Sequence, residues 1–552
     1  MKYTVEYQRW LNNITEPDLL DELNNMTLTE REDAFYRDIA FGTGGLRGII
    51  GAGTNRMNVY VVRKASQGLS NYLLKNYTNP SVVIGYDSRR KSDDFAKVAA
   101  GVLAANGIHV YIWSKLLPVP TVSYAVRYLG ASAGVMITAS HNPAQYNGYK
   151  VYGSDGCQIT TEAAATILCE IEKVDIFRDV KSMPWESAKI QGLLETIEEK
   201  VLNAFIEDVK RQSVLFGESV NHDIKIIYSP LNGTGLIPVT RVLEESGFTN
   251  IIVVEEQRNP DSNFTTCPYP NPEIREAMEL GLEYCEREGA DLLLATDPDA
   301  DRCGIAVRNQ DGEYILLTGN EVGLLLIDFI CSQRVKHNKM PNSPVFIKTI
   351  VTTDLAEAIA SHYGVETINT LTGFKYIGEQ IGRLSNEENF ICGFEESYGY
   401  LTGSYVRDKD AINASLMICE MFAYYNTRGV NLLEKLEDIY RVYGYCLNNL
   451  HSYIFPGSSG AEKMADIMAS FRKGMDSIAG KKIEKAVDYS RGINGLPKAE
   501  VLKYYTEDGS IVIRPSGTEP KIKTYISVVA GNREEAERIE EKIDAALSAR
   551  MM

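Results

Sequence analysis

The run Ala133-Gly134-Val135-Met136-Ile137-Thr138-Ala139-Ser140-His141-Asn142-Pro143 decides how the chain is read. Its first five residues are a short apolar stretch, the pattern of a buried strand. Polar residues follow at once, and Tyr146-Asn147-Gly148-Tyr149-Lys150 reads as a turn re-entering an extended segment. Strand ends in open α/β sheets are where ligands bind. The Ser140 hydroxyl lies there, with His141 beside it and Lys150 downstream, so Ser140 is a candidate nucleophile. Ser, Asn and Pro are also ordinary turn formers. The serine lacks the flanking glycines of a G-x-S-x-G hydrolase elbow.

Working outward, helix and strand alternate. Asn58 to Lys75 has helical periodicity, Ser81 to Asp87 reads as a buried strand, Ser92 to Asn106 as a helix and Ile108 to Trp113 as a strand. This βαβ pattern predicts a mixed or parallel sheet covered on both faces. After a stretch read as helical, Leu193 to Phe216, the pattern restarts at Ile224, and again near Leu316. The tail, from about Arg441, holds strands at Ser510–Ile513 and Ile522–Val529 and an amphipathic helix. The expected fold is α/β with four domains: three similar mixed-sheet domains and a smaller C-terminal α+β domain around a central cleft. Expected limits are 41–205, 206–312, 313–440 and 441–552, with residues 1–40 a helical extension packed on the first domain.

At 552 residues the chain exceeds what one core supports. Its start lacks an apolar secretory core, and its apolar runs are too short to span a bilayer. Nine cysteines without paired spacing read as reduced, mostly buried thiols, which points to the cytoplasm. A formal charge of −17 disfavours nucleic acid and anionic membranes as partners. An anionic substrate would therefore need basic residues that converge locally.

Four stretches carry chemistry. Phe41-Gly42-Thr43-Gly44-Gly45-Leu46-Arg47-Gly48 permits a tight loop that taken alone is a plain glycine turn, and whose functional reading has amides facing an anion and Arg47 on a phosphate. It is not a dinucleotide fingerprint, because Arg47 stands where a glycine is needed. Asp297, Asp299 and Asp301 follow a buried strand at alternate positions, which on an extended segment places three carboxylates on one face. Such a cluster raises its own pKa values unless a cation neutralises it. Arg302 and Arg308 stand where an EF-hand needs Gly and Glu, and three ligands leave open positions, so Mg²⁺ is preferred. Glu395-Glu396-Ser397 follows another strand and suits sugar hydroxyls; Arg407-Asp408-Lys409-Asp410 nearby reads as a solvated charge run. Arg514-Pro515-Ser516-Gly517-Thr518 can wrap a phosphate dianion.

Together and in this order, the four loops resemble those of the α-D-phosphohexomutase superfamily, over nearly the whole chain. Thr138-Ala139-Ser140-His141-Asn142-Pro143 matches its phosphoserine loop. Asp297-Pro298-Asp299-Ala300-Asp301-Arg302 resembles its metal loop, with Pro298 where Gly is common. Glu395-Glu396-Ser397 resembles the glucose-type sugar loop, and the Arg514 stretch the phosphate clamp. The N-terminal extension and the Phe41 to Asn58 wording resemble the long phosphoglucomutase/phosphopentomutase branch.

The resemblance implies interconversion of glucose 1-phosphate and glucose 6-phosphate through phospho-Ser140, with glucose 1,6-bisphosphate as intermediate and activator. It implies catalytic roles for Ser140, His141, Lys150, Arg47 and Arg302, and Mg²⁺ on Asp297, Asp299, Asp301 and a phosphoserine oxygen. It implies sugar-phosphate contacts at Thr372, Gly373, Lys375, Glu395, Ser397, Arg407, Lys409, Arg514, Ser516, Gly517 and Thr518. Pentose and mannose phosphates remain open as substrates, as do a metal-dependent phosphatase and a non-catalytic sugar-phosphate sensor. The expected assembly is a monomer or a homodimer.

Overall fold

Apolar runs of four to six residues, buried on both faces, form the centre of three mixed sheets in the computed structural model, which describes residues 2–42, 44–455, 460–493, 495–516 and 521–551. In the first sheet the spatial order is Phe41–Gly42, Gly45–Ile49, Tyr146–Gly153, Ala133–Ile137, Ser81–Tyr86, His109–Ile112 and Leu194–Thr196. The second runs Tyr314–Leu317, Cys303–Arg308, Leu292–Thr296, Ile226–Ser229, Ile251–Val253, and the third Glu366–Thr370, Val345–Thr349, Phe390–Glu395, Gly399–Thr402. The tail strands form a fourth, antiparallel sheet backed by the helix Arg533–Met551.

The first three sheets share one device. Parallel strands lie at the centre, and the last of them turns back into an antiparallel partner: Ala133–Ile137 into Tyr146–Gly153, Leu292–Thr296 into Cys303–Arg308, Phe390–Glu395 into Gly399–Thr402. The loops holding Ser140, the three aspartates and Glu396-Ser397-Tyr398 are these three turns.

Four local expectations are corrected. Tyr146 already opens a strand, so no turn separates it from Lys150. Leu193 to Phe216 is not one helix: Leu194–Thr196 completes the first sheet and only Glu199–Lys210 is helical. Leu316 opens no new domain, because Tyr314–Leu317 pairs antiparallel with Cys303–Arg308 in the second sheet. In the glycine stretch, Phe41–Gly42 and Gly45–Ile49 are paired edge strands rather than loop, and Thr43 lies outside the described residues. The Gly45–Ile49 strand pairs with Tyr146–Gly153, setting Arg47 opposite Gly148. A Cβ on Gly45, at φ +144, would lie 1.9 Å from the Tyr149 carbonyl oxygen, so the glycine serves close strand approach.

The N-terminal helices pack on the first domain through Trp10, fully buried against the rings of Phe35, Tyr60 and Phe177 at 5.5–5.7 Å. One apolar core continues through the first three domains, from Val122 and Phe205 through Tyr228 and Ile305 to Leu324 and Met417. The fourth sheet has a core of its own, built around Ile513, Ile526 and Leu547.

At the centre lies the helix Ala411–Asn426, buried nearly all round. It holds Glu420, whose carboxylate accepts the Val214 amide at 3.2 Å. Burial pushes the Glu420 carboxyl up to about 7, against the hydrogen bonds it accepts. The folded chain thus keeps this proton to higher pH than the unfolded chain. Its contribution is complete below the ordinary carboxylate range and is lost as pH rises through about 7. Glu420→Gln is expected to remove this slope and to gain on the order of 1–3 kcal/mol at alkaline pH. Urea unfolding of both proteins on the acid and alkaline sides of neutrality checks it; parallel pH profiles would refute it.

Candidate active site

Ser140 sits in a left-handed conformation, φ +54, which a residue with a side chain seldom adopts. Neighbouring groups hold it there. Thr138 Oγ1 accepts the Ser140 amide at 2.8 Å and donates to Asp299 at 3.1 Å. The Ser140 hydroxyl donates to Asp297 Oδ2 at 3.0 Å and lies 3.2 Å from His141 Nδ1. Desolvation in the cleft wall, with repulsion from Arg302 and Arg47, holds His141 well below its ordinary value. Its ring is neutral and can exchange a proton with the serine. Arg47 donates to the Asn142 side chain at 3.1 Å.

The aspartates converge through a tight turn rather than along a pleat. The ladder stops at Thr296 and resumes at Cys303, the Ala300 amide returns to the Asp297 carbonyl at 2.8 Å, and Ala300 is left-handed at φ +47. All three carboxylates are fully buried, with ligand oxygens within 4.8 Å of one another. Lys150 reaches Asp299 at 2.9 Å and Asp301 at 3.4 Å; Lys409 reaches Asp301 at 2.8 Å.

Asp297 and Asp299 are therefore pushed in opposite directions. Burial and the other two carboxylates raise Asp297. Burial also acts to raise Asp299, but Lys150, a hydrogen bond with Asp297 and Lys409 together outweigh it and hold that carboxyl far below the usual range. Three carboxylates against two ammonium groups leave a formal excess of one negative charge. Asp299 Oδ1 and Asp301 Oδ1 are buried with no hydrogen-bond partner among the described residues. Unpaired buried carboxylate oxygens are costly unless a cation takes them.

The run 407–410 is not solvated. Arg407, Asp408 and Asp410 are buried, and only the Lys409 head reaches the cleft, held charged by Asp301, Asp408 and Glu395 against its burial. Arg407 turns away: its guanidinium pairs with Glu387 and the Ser404 carbonyl, so it does not join the other predicted substrate contacts. Asp410 caps the central helix.

A cleft of about 890 Å³ is lined by Arg47, His141, Arg302, Thr372, Gly373, Glu395, Ser397, Lys409 and Arg514. Ser140 and Lys150 lie buried beneath its floor. Burial, with repulsion from Glu396, pushes Glu395 up to about 7 against Lys409 and Arg302. Lys375 is buried behind the Thr372 loop, and burial lowers it to about 8. Arg514 donates to Tyr525 at 2.8 Å. The Ser516 amide donates to the Lys521 carbonyl at 2.8 Å, closing the base of the clamp, whose Gly517 and Thr518 lie outside the described residues.

Three participants escaped the sequence reading. Thr138 links the serine loop to Asp299, and Glu273 pairs with Arg302. Arg89 is buried under the serine loop; its one signal was its place just past the strand end at Asp87.

Four domain families cover this architecture: "Phosphoglucomutase/phosphomannomutase, alpha/beta/alpha" domains I, II and III over residues 38–176, 203–312 and 318–443, and the C-terminal domain over 462–546. The chain belongs to the phosphoglucomutase/phosphomannomutase family. A phosphoglucomutase of Staphylococcus epidermidis is 39% identical over 94% of this chain and 96% of its own length. One of Staphylococcus aureus is 34% identical over 99% of both. The open form of pp63/parafusin from Paramecium shares the fold, with a TM-score of 0.73 at 18% identity over 94% of this chain and 96% of that one. So does a putative phosphomannomutase of Thermus thermophilus, at 0.69 and 22%, over 93% and 99%.

A Cβ on Gly148 would lie 2.5 Å from the Thr138 carbonyl oxygen and 2.7 Å from that of Leu46. Gly148→Ala must therefore displace the serine loop. The expected result is a folded protein with turnover lowered about 100-fold, the effect of an ångström-scale misplacement. Steady-state kinetics beside a thermal melt check it; unchanged turnover would show that the loop tolerates the shift.

Proposed function

We infer that the chain interconverts glucose 1-phosphate and glucose 6-phosphate, with Ser140 as the phosphoryl carrier. One observation carries this reading: the Ser140 hydroxyl lies 3.0 Å from Asp297, inside the buried carboxylate cluster, on a cleft whose far wall carries Arg514. The choice of glucose rests on the curated relatives named phosphoglucomutase and on Glu395-Glu396-Ser397. Pentose or mannose phosphates are the alternatives.

Phospho-Ser140 gives its phosphoryl group to the free hydroxyl of the bound sugar phosphate, forming glucose 1,6-bisphosphate. The bisphosphate turns end for end and returns its other phosphate to Ser140. Neutral His141 relays the proton of the hydroxyl that gains or loses phosphate. Lys150, Arg47 and Arg302 surround the moving phosphoryl group with positive charge. Glu395 and Ser397 contact sugar hydroxyls in both orientations, and Arg514 with Ser516, Gly517 and Thr518 holds the phosphate that is not reacting. Thr372, Gly373 and Lys409 complete the sugar-phosphate wall, with Lys375 behind it.

The donor set fits Mg²⁺: three carboxylates, all oxygen, two with unpartnered buried oxygens. Asp297, Asp299 and Asp301 would hold the ion, which when bound supplies charge compensation for phosphoryl transfer. A monomer or homodimer in the cytoplasm is the setting we favour. The chain supplies every wall of the cleft, and all nine cysteines are free thiols, eight of them buried. No helix among the described residues is long and apolar enough to cross a membrane.

Ser140→Ala is expected to lose nearly all turnover while melting like the parent; full mutase activity would remove Ser140 from the mechanism. Chelation with EDTA is expected to abolish activity and added Mg²⁺ to restore it; indifference to chelation would remove the metal. A coupled assay across glucose, mannose, ribose and deoxyribose 1-phosphates ranks the sugars. Release of inorganic phosphate without glucose 6-phosphate would mark a phosphatase instead.

A further inference from the structure

We propose that Arg89 is a positioning residue for the reaction: it sets Ser140 by gathering the backbone carbonyls around it onto one buried guanidinium. The proposal deepens the reading of Ser140 as phosphoryl carrier and rests on it. Arg89 is 3% exposed and does not line the cleft, so it acts through the loop rather than on the substrate. Its two terminal nitrogens donate to the carbonyls of Ser140, Asn142, Pro143 and Tyr146, the last two at 3.0 and 3.2 Å. Four carbonyl dipoles pointing inward at one place repel one another unless a cation stands among them. A planar guanidinium, with several donors in a fixed fork, meets that need; an ammonium cannot span the same four acceptors.

Arg89 is itself held on two sides. Its Nε faces the buried Asp87 carboxylate at 3.3 Å. Asp87 is fixed in turn by the Ser92 hydroxyl at 2.7 Å and the Arg89 amide at 3.0 Å. The guanidinium also lies over the Phe264 ring, 4.9 Å from its centre. Phe264 belongs to the second domain, which carries the three aspartates. The same group that shapes the serine loop therefore registers it against the domain that presents the carboxylates. This accounts for how a non-glycine residue keeps φ +54 at the point where its hydroxyl must meet Asp297 and His141.

The test uses the full-length enzyme and the variants Arg89→Lys and Arg89→Ala. Three quantities are measured: uptake of phosphate on Ser140 from glucose 1,6-bisphosphate, followed by intact mass; kcat and KM for glucose 1-phosphate; and the effect of millimolar guanidinium. Arg89→Lys is expected to melt close to the parent. Its kcat and its rate of Ser140 phosphorylation should fall about 100-fold, with KM changed less than about threefold. Arg89→Ala should lose more and regain part of the rate with added guanidinium; if it does not fold, Arg89→Lys alone decides. Phosphorylation of Arg89→Lys at the parent rate, or a loss confined to KM, overturns the proposal. A parent enzyme that takes no phosphate on Ser140 overturns the carrier reading as well, so the two failures are told apart.

Discussion

Three carboxylates fully buried at one turn are the constraint to which the rest of the structure answers. Asp297, Asp299 and Asp301 cannot be left in a dry interior without cations. The charges come from other domains: Lys150 from the first and Lys409 from the third. Backbone bonds tie the same turn down from three directions. The Val119 amide donates to the Asp299 carbonyl at 2.9 Å, the Thr234 amide to Pro298 at 2.9 Å, and the Ala411 amide to Ala300 at 3.2 Å. The turn is therefore where the first three domains are locked together as well as where chemistry is gathered. That is consistent with the single apolar core they share.

The symmetry of the first three domains explains why so few residues build so complete a site. Each contributes the turn from its last parallel strand into an antiparallel partner, and in each turn one non-glycine residue is left-handed: Ser140 at φ +54, Ala300 at +47, Tyr398 at +65. A left-handed residue at a strand end reverses the chain within a few residues and turns its side chains out of the sheet. The turns also touch directly, for Tyr398 accepts the Cys303 amide at 3.0 Å and Ser140 donates to Asp297. Three copies of one strained turn, packed tip to tip, carry Ser140, the three aspartates and Glu396-Ser397.

Much of this was legible in the chain. Apolar runs ending abruptly in polar loops marked the central strands and placed Ser140 and the aspartates at their ends. What failed was the reading of charge and of short strands. Arg407 to Asp410 looks solvated as a string of four charges, yet three of them pair with other segments, Arg407 with Glu387, Asp408 with Tyr152 and Lys409 with Asp301, and Asp410 caps the helix that follows it. No local pattern announces that Tyr152, 256 positions away, will meet Asp408. The stretch 41–48 looked like a loop because glycine disfavours strands, whereas Gly45 is there so that two strands can close in. The aspartates were correctly grouped on a wrong local geometry, since a tight turn converges them as well as a pleat does.

The fourth domain stands apart from this locked trio, and that separation bears on how the site is used. Its core is its own, and it meets the third domain along a small apolar seam that includes Ile350, Tyr376, Val512 and Tyr525. A buried polar joint adds to the seam: Lys503 and Ser510 both bond Asp354, at 2.9 and 2.8 Å. A few apolar side chains and one charged cluster meet at this boundary, and Cys446 alone is buried from the fourth sheet in the continuous core that joins the other three domains. The loop opposite Ser140, with Arg514, therefore rides on the domain whose core is separate. A mutase must grip either end of its ligand in turn and let the bisphosphate swing without losing it to water. Ser140, the carboxylates and Glu396-Ser397 lie on the domains that share one core and Arg514 on the separate one, an arrangement that suits both demands with the same joint.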